Sequence, residues 1–154
     1  MAENVRKLTD ISIADDYDSF STGFLLLKVS RLVNHLYHQE LASSGITPPQ
    51  AAILWVLSKA EEISQTDVVR TLMLDKANVS ALIRKLKTGG FVKVRQSSHD
   101  GRKSLLSLTP KGKEAMKKVE KVDKKVSTEL ERRVSAPDIK KVRVYFTELL
   151  GQYL

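Results

Sequence analysis

A mainly α chain with one small β-hairpin is predicted by three observations. Residues 99–103 read His-Asp-Gly-Arg-Lys between two short apolar runs, 91–95 and 104–108, and so form a hairpin tip with cations at its end. Just upstream lie two short segments of helical periodicity, separated by a polar turn that ends in Asp75. Both ends of the chain carry helical stretches with apolar stripes that a core of about sixty residues cannot cover. Helix, turn, helix and then a basic hairpin is the layout of a winged helix-turn-helix, and the terminal helices are expected to interlock as a dimer.

Each element has its own signal. Residues 1–15 are polar and without clean periodicity. From about residue 16 to 41, Phe20, Phe24, Leu27, Leu32 and Leu36 recur at helical spacing, and the 24–29 stretch is apolar almost all round, which calls for more than one neighbour. Gly45 closes this helix. Thr47-Pro48-Pro49-Gln50 opens the next: threonine caps, proline sits where no N–H is needed, and Gln50 completes a capping box. Ala52, Leu54, Trp55 and Leu57 belong to that helix, and Ile63 adds a strand rung after it. Ser64, with Asp67 three residues on, caps a short helix whose Val68, Val69, Leu72 and Leu74 face inward. Asp75 caps a helix over 76–88 with an inward stripe of Val79, Leu82 or Ile83, and Leu86, and Gly89-Gly90 breaks it. In the hairpin, Phe91, Val94, Leu106 and Leu108 are the expected inward anchors. Thr109-Pro110 repeats the cap-then-proline signal, and the long helix that follows places Met116, Val119, Val122, Val126 and Leu130 on one face. Ser135 caps a last helix with Pro137 in its first turn and a stripe of Ile139, Val142, Phe146, Leu149 or Leu150, and Tyr153.

These elements suggest three regions: an N-terminal arm and dimerisation helix (1–45), a DNA-binding winged helix (46–109) and C-terminal dimerisation helices (110–154). The 154 residues carry a net charge of +8 and a pI of about 9.7, which favours a polyanionic partner. Its distribution says more. Residues 64–109 hold nine lysines and arginines against three aspartates, whereas residues 1–20 are net acidic. The chain has no cysteine, so disulfides and thiol chemistry are excluded. No apolar run near the start suits a signal peptide or a membrane span, and a cytoplasmic location without membrane contact is expected.

The expected outward positions of the 76–88 helix are suited to duplex DNA. Arg84 can make a bidentate contact to guanine and Asn78 to adenine; Ser80 can reach a base or a phosphate; small Ala77 and Ala81 allow close approach. Lys76 is another outward position assigned to DNA, and Lys85 and Lys87 suit phosphates, which give affinity without sequence choice. Asn78 also has a structural alternative, satisfying the helix's first turn after Asp75. At the hairpin tip, Arg102 is the candidate for minor-groove insertion with Lys103 beside it, and Asp100, which repels phosphate, is read as a brace for Arg102. A two-fold protein presents two such helices, which suits a palindromic operator.

Rival functions leave weaker traces. His35 and His38 lie three apart on one helix with Glu40 nearby, so a metal-responsive regulator is an alternative, although no second cluster supplies further ligands. A dimeric protein-binding module without an effector is another. An enzyme is not expected, since Asp67, Asp75 and Asp100 serve as caps and a brace, and no catalytic residue, cofactor or resident metal is assigned.

At this point the chain resembles the MarR family of winged-helix transcriptional regulators. The resemblance runs through Thr47-x-x-Gln50, a second helix opening at Leu74-Asp75-Lys76-Ala77-Asn78-Val79-Ser80, then Leu86, Gly90-Phe91-Val92, Arg95, Asp100-x-Arg102 and Leu108-Thr109-x-x-Gly112. It implies a homodimer joined by its terminal helices, a repressor released by a small molecule or oxidant, a wing pair at Asp100 and Arg102, and DNA contacts at Ser80 and Arg84. It also implies a small aromatic or amphipathic effector between the dimer helices and the winged helix, for which Tyr17, Phe24, Arg31, Tyr37 and Trp55 are the candidate lining. Gly101 departs from the family pattern, which often places a second basic residue there, with Lys103 a substitute. The absence of cysteine sets the chain outside thiol-based oxidant sensors.

Overall fold

The computed structural model describes residues 17–97, 104–132 and 134–152. After a 3-10 turn at Tyr17–Ser19, helix α1 spans Thr22–Leu41. It begins later than the periodicity from residue 16 suggests because Ser21 caps it: the Ser21 hydroxyl accepts the Phe24 N–H at 3.3 Å and the Ser21 carbonyl accepts the Leu25 N–H at 3.0 Å. The described residues form two compact units, divided between His35 and Leu36. In the first unit Phe20 lies against both Phe24 and Tyr17, at ring separations of 4.8 and 6.3 Å, and the Lys28 ammonium stands 5.1 Å from the centre of the Tyr17 ring. Phe24, Leu27, Val29 and Leu32 of this unit are exposed.

The second unit begins with the end of α1, where Leu41 is buried, and a 3-10 turn at Ala42–Ser44 that Gly45 closes with a φ of 68°. Helix α2 is Pro48–Leu57, and its opening carries the expected capping exchange: the Thr47 N–H donates to Gln50 Oε1 at 2.9 Å. Strand β1 is the two residues Ile63–Ser64. Helix α3, Gln65–Leu72, starts on the Ser64 hydroxyl, which accepts the Asp67 N–H at 3.1 Å. Helix α4, Lys76–Thr88, starts on Asp75, whose carboxylate accepts the Asn78 N–H at 2.7 Å. Strands β2, Val92–Gln96, and β3, Ser104–Leu108, pair antiparallel, with Val92 opposite Leu108 and Val94 opposite Leu106. β1 adds to the far side of β3 through Ile63 and Leu106, giving the order β1-β3-β2. Helix α5 is Pro110–Glu131 and helix α6 is Ala136–Gly151.

One core joins these elements. Ile53, Leu54 and Leu57 of α2, Val68 of α3, Val79, Ile83 and Leu86 of α4, Val92 and Leu106 of the sheet, and Met116 and Val119 of α5 are all buried together. The α4 stripe therefore runs through Ile83, with Leu82 half-buried at its margin. In the hairpin the buried residue of the first strand is Val92; Phe91 precedes the strand and, with Val94 and Leu108, is half-buried against the core. Helix α6 buries none of its residues in the single chain, and Val142, Val144, Tyr145, Phe146 and Leu150 lie open. No described helix is long and apolar enough to cross a membrane.

Candidate nucleic-acid interface

Helix α4 turns one face to the core and the other outward. Val79, Ile83 and Leu86 hold it down, while Lys76, Ala77, Asn78, Ala81, Arg84, Lys85 and Lys87 are exposed. Ala77, Ala81 and Arg84 follow one another at the four- and three-residue steps that keep side chains on one line. Ser80, Arg84 and Lys87 form a neighbouring row, and Asn78 and Lys85 stand on the opposite flank. Lys76, Arg84, Lys85 and Lys87 enter no ion pair among the described residues, in contrast to Arg70, Arg95, Lys117, Lys125, Arg132 and Lys141, each held by a carboxylate within 4.0 Å. The sequence of α4 holds no acid, and Asp75, which precedes it, is engaged as the cap. Asn78 meets the first turn through its backbone N–H, leaving its side chain exposed.

Both ends of α4 are held. At its start the Gln65 Nε2 of α3 donates to the Ser80 hydroxyl at 2.6 Å, so Ser80 is half-buried. This contact joins residues fifteen apart in sequence, and no local sequence signal announces it. At its end Gly90 takes a φ of 74°, a left-handed turn that redirects the chain into β2. The Lys111 ammonium donates to the Gly89 carbonyl at 2.8 Å and lies 4.7 Å from the centre of the Phe91 ring. The Thr109 hydroxyl donates to the Gly90 carbonyl at 2.7 Å and also accepts the Gly112 N–H at 3.0 Å, so one threonine fastens α5 to the turn after α4.

The stem of the hairpin is braced separately. Arg95 grips Glu62 with both arms of its guanidinium, Nε donating to Oε1 at 2.5 Å and Nη2 to Oε2. The hydrogen bond from Arg95 holds the Glu62 carboxyl below the usual carboxylate range. Arg95 thus ties β2 to the connector before β1. The tip residues assigned from the sequence, His99, Asp100, Gly101, Arg102 and Lys103, lie outside the described residues.

The candidate effector residues fall in both units. Tyr17 and Phe24 share the aromatic cluster around Phe20, and Arg31 is exposed on the same unit. In the second unit Trp55 is half-buried against the core with the Lys59 ammonium 4.6 Å above its ring, and the Tyr37 hydroxyl donates a short hydrogen bond to Asp123 Oδ1 of α5. Burial first, then the hydrogen bond and charge of Asp123, push the Tyr37 phenol well above its ordinary range. A phenol raised on folding stabilises the fold below the unfolded value of about 10 and loses that contribution as pH rises toward the folded value. From about pH 9.5 upward the melting temperature of the parent is therefore expected to fall more steeply than that of Tyr37→Phe. Parallel slopes in thermal melts would show that Tyr37 does not hold its proton.

Glu40, the carboxylate near His35 and His38 in sequence, is ion-paired with Lys125 at 2.7 Å. Among the described residues no three histidine or acidic side chains gather into a metal site.

Comparison with known proteins agrees with this architecture. The family model for the MarR family matches residues 44–103, from the last residue of the 3-10 turn after α1 to the residue before β3. The HTH-type transcriptional regulator YdgJ of Bacillus subtilis is 31% identical over 97 residues, which are 63% of this chain and 59% of that protein. The HTH-type transcriptional repressor YetL of the same organism is 29% identical over 107 residues, 65% of this chain and 64% of its own length. The chain thus spans less than two thirds of the length of these curated relatives. Among solved structures, a MepR–DNA complex from S. aureus superposes with a TM-score of 0.78 at 20% identity, covering 87% of this chain and 99% of that one. With the helix-turn-helix, the hairpin strands and the Thr109–Gly112 junction in the positions the sequence motifs require, the chain has a winged-helix fold whose residues 44–103 are similar to the MarR family.

Proposed function

We propose that the chain is a homodimeric, sequence-specific DNA-binding regulator of transcription, a repressor that leaves a palindromic operator when a small aromatic or amphipathic effector binds. The observation that carries the DNA reading is the outward face of α4, where Lys76, Arg84, Lys85 and Lys87 stand exposed and without an ion pair among the described residues. Four cations within one helix gain most from phosphate, which releases condensed counterions on contact. On this reading Arg84 takes guanine, Asn78 takes adenine, and Lys76, Lys85 and Lys87 hold the backbone. Arg102 and Lys103 extend the contact to the minor groove, with Asp100 as brace.

The dimer reading is supported by the open apolar residues of α6 and of the first unit. Operator binding and repression are supported by the likeness to a structure solved as a DNA complex and to a relative named a repressor. The effector reading rests on the family resemblance, which assigns Tyr17, Phe24, Arg31, Tyr37 and Trp55 to it.

Selection of binding sites from random duplexes tests the reading: the parent is expected to enrich an inverted repeat. Arg84→Ala is expected to cost about 1–3 kcal/mol on that repeat and to relax one base pair in each half-site. Lys87→Ala is expected to weaken enriched and unrelated DNA alike and to lower the salt slope by about one. An unchanged motif from Arg84→Ala would rule that residue out as a reader, and a parent that enriches nothing would rule out sequence-specific binding.

A further inference from the structure

We propose that Met73 is a specificity-determining residue of the DNA-reading face, whose side chain packs on the C5-methyl group of one thymine in each half-site. This inference rests on the DNA-binding reading above and adds to it a residue of the turn between α3 and α4.

Two hydrogen bonds close that turn. The Met73 N–H donates to the Arg70 carbonyl at 3.2 Å, and the Leu74 N–H donates to the Val69 carbonyl at 3.3 Å. Val69 and Leu74, joined by the longer loop, are both half-buried against the core. Such a closure requires a left-handed residue between the end of the helix and the apolar residue that follows, a place that glycine ordinarily fills. Here Met73 fills it, with φ 49° and ψ 34°. Among the described residues it is the only one other than glycine with a positive φ. In that conformation a Cβ crowds the following carbonyl oxygen, a strain that glycine escapes. Burial does not repay it, because Met73 is 53% exposed. The fold thus requires the backbone conformation at this position and gains nothing from methionine. A strained residue whose side chain the protomer does not use points to a contact outside the protomer.

The place of Met73 in the fold indicates the contact. It lies two residues before Asp75, the cap of α4, and so within about 7 Å of it along the chain. The first turn of α4 exposes Lys76, Ala77 and Asn78. In a helix-turn-helix the N-terminal residues of the second helix meet base edges in the major groove. A thioether is only a weak acceptor, so an exposed one at this end needs an apolar partner. The apolar group that base edges present in the major groove is the C5-methyl of thymine. The unbranched side chain of methionine adapts its shape to such a target.

Deoxyuridine differs from thymidine by that methyl group alone, so it isolates the contact. The parent, Met73→Gly and Met73→Leu are titrated with the selected operator and with copies in which each thymine position in turn carries deoxyuridine in both half-sites. Thermal melts run alongside. Met73→Gly is expected to melt about 2–4 °C higher than the parent, since the strain is relieved. It is nevertheless expected to bind the unmodified operator about fourfold more weakly per half-site. At one thymine position the parent is expected to lose the same factor on deoxyuridine, whereas Met73→Gly loses nothing there. Met73→Leu keeps both the strain and the apolar surface, and is expected to keep the parent's melting temperature and its deoxyuridine sensitivity. If Met73→Gly binds as tightly as the parent, Met73 stands clear of DNA and the inference is wrong. If it binds more weakly but keeps every deoxyuridine sensitivity of the parent, Met73 does not meet a thymine methyl, which also overturns it. If it melts lower than the parent, the side chain supports the fold and the inference loses its ground. A parent that selects no motif overturns the DNA reading itself and this role with it.

Discussion

Gly112→Ala is expected to destabilise the chain by at least about 3 kcal/mol, more than an ordinary overpacking substitution. Gly112 sits three residues past the cap of α5, and its backbone is not in the left-handed region, so conformational freedom is not what it supplies. The reason is closeness. A Cβ at this position would lie 2.0 Å from the Phe91 carbonyl oxygen and 3.3 Å from Leu108 Cδ2. The oxygen cannot retreat cheaply, because it accepts the Thr109 N–H at 3.0 Å and the Thr109 hydroxyl approaches it at 3.2 Å. Alanine's helix propensity would repay about 1 kcal/mol, too little against a backbone clash that must pry α5 from the chain entering β2. For a chain of this size the expected loss is a melting temperature lower by roughly 6–12 °C. Gly23→Ala is the control: its Cβ meets nothing within 4 Å, so it should melt no lower than the parent. If both variants melt alike, the junction between β2 and α5 is softer than its hydrogen bonds indicate.

That junction also shows which parts of the fold were legible in the sequence. Ser64, Asp75, Thr109 and Ser135 all cap the helices that follow them, because a cap needs only a side-chain oxygen and an N–H a few residues on. The family motif Leu108-Thr109-x-x-Gly112 was readable as a pattern, but its cause, the nearness of the Phe91 carbonyl, is tertiary. Helical periodicity left Leu82 and Ile83 undecided, since both border the inward stripe; packing chose Ile83. Hairpin alternation misjudged Val92 for a related reason. Phe91 has the larger apolar side chain, yet it falls before the strand, and the pairing of Val92 with Leu108 carries Val92 into the core. On the candidate site, the exposed cations of α4 followed from their spacing, whereas Gln65 gave no local sign of its contact with Ser80 across fifteen residues. Arg95 was visible as part of the motif, and only the structure shows it spent on Glu62.

The second large effect is expected from the open face of α6. Val142→Asp together with Phe146→Asp should give a folded monomer that binds the selected operator at least about a thousandfold more weakly than the parent. These residues are one turn apart, and in the single chain they remain 45% and 38% exposed. No described neighbour buries them, so two carboxylates there cost the protomer little. In a dimer interface the same carboxylates would lose their hydration among apolar side chains, at several kcal/mol each. The effect on DNA follows from two-fold reading. A dimer binding near nanomolar holds about 12 kcal/mol across two half-sites, so one half-site alone retains about 6 and binds only near 10⁻⁴ to 10⁻⁵ M. Sedimentation and operator titration separate the outcomes, with circular dichroism to confirm the fold. Binding to an isolated half-site should change only a few-fold, because α4 is untouched. If the double variant stays dimeric, the interface lies elsewhere, and the open apolar residues of α1 become the next to alter. If it becomes monomeric yet keeps full operator affinity, a single protomer reads the site, and the open face of α6 serves something other than the alignment of two reading helices.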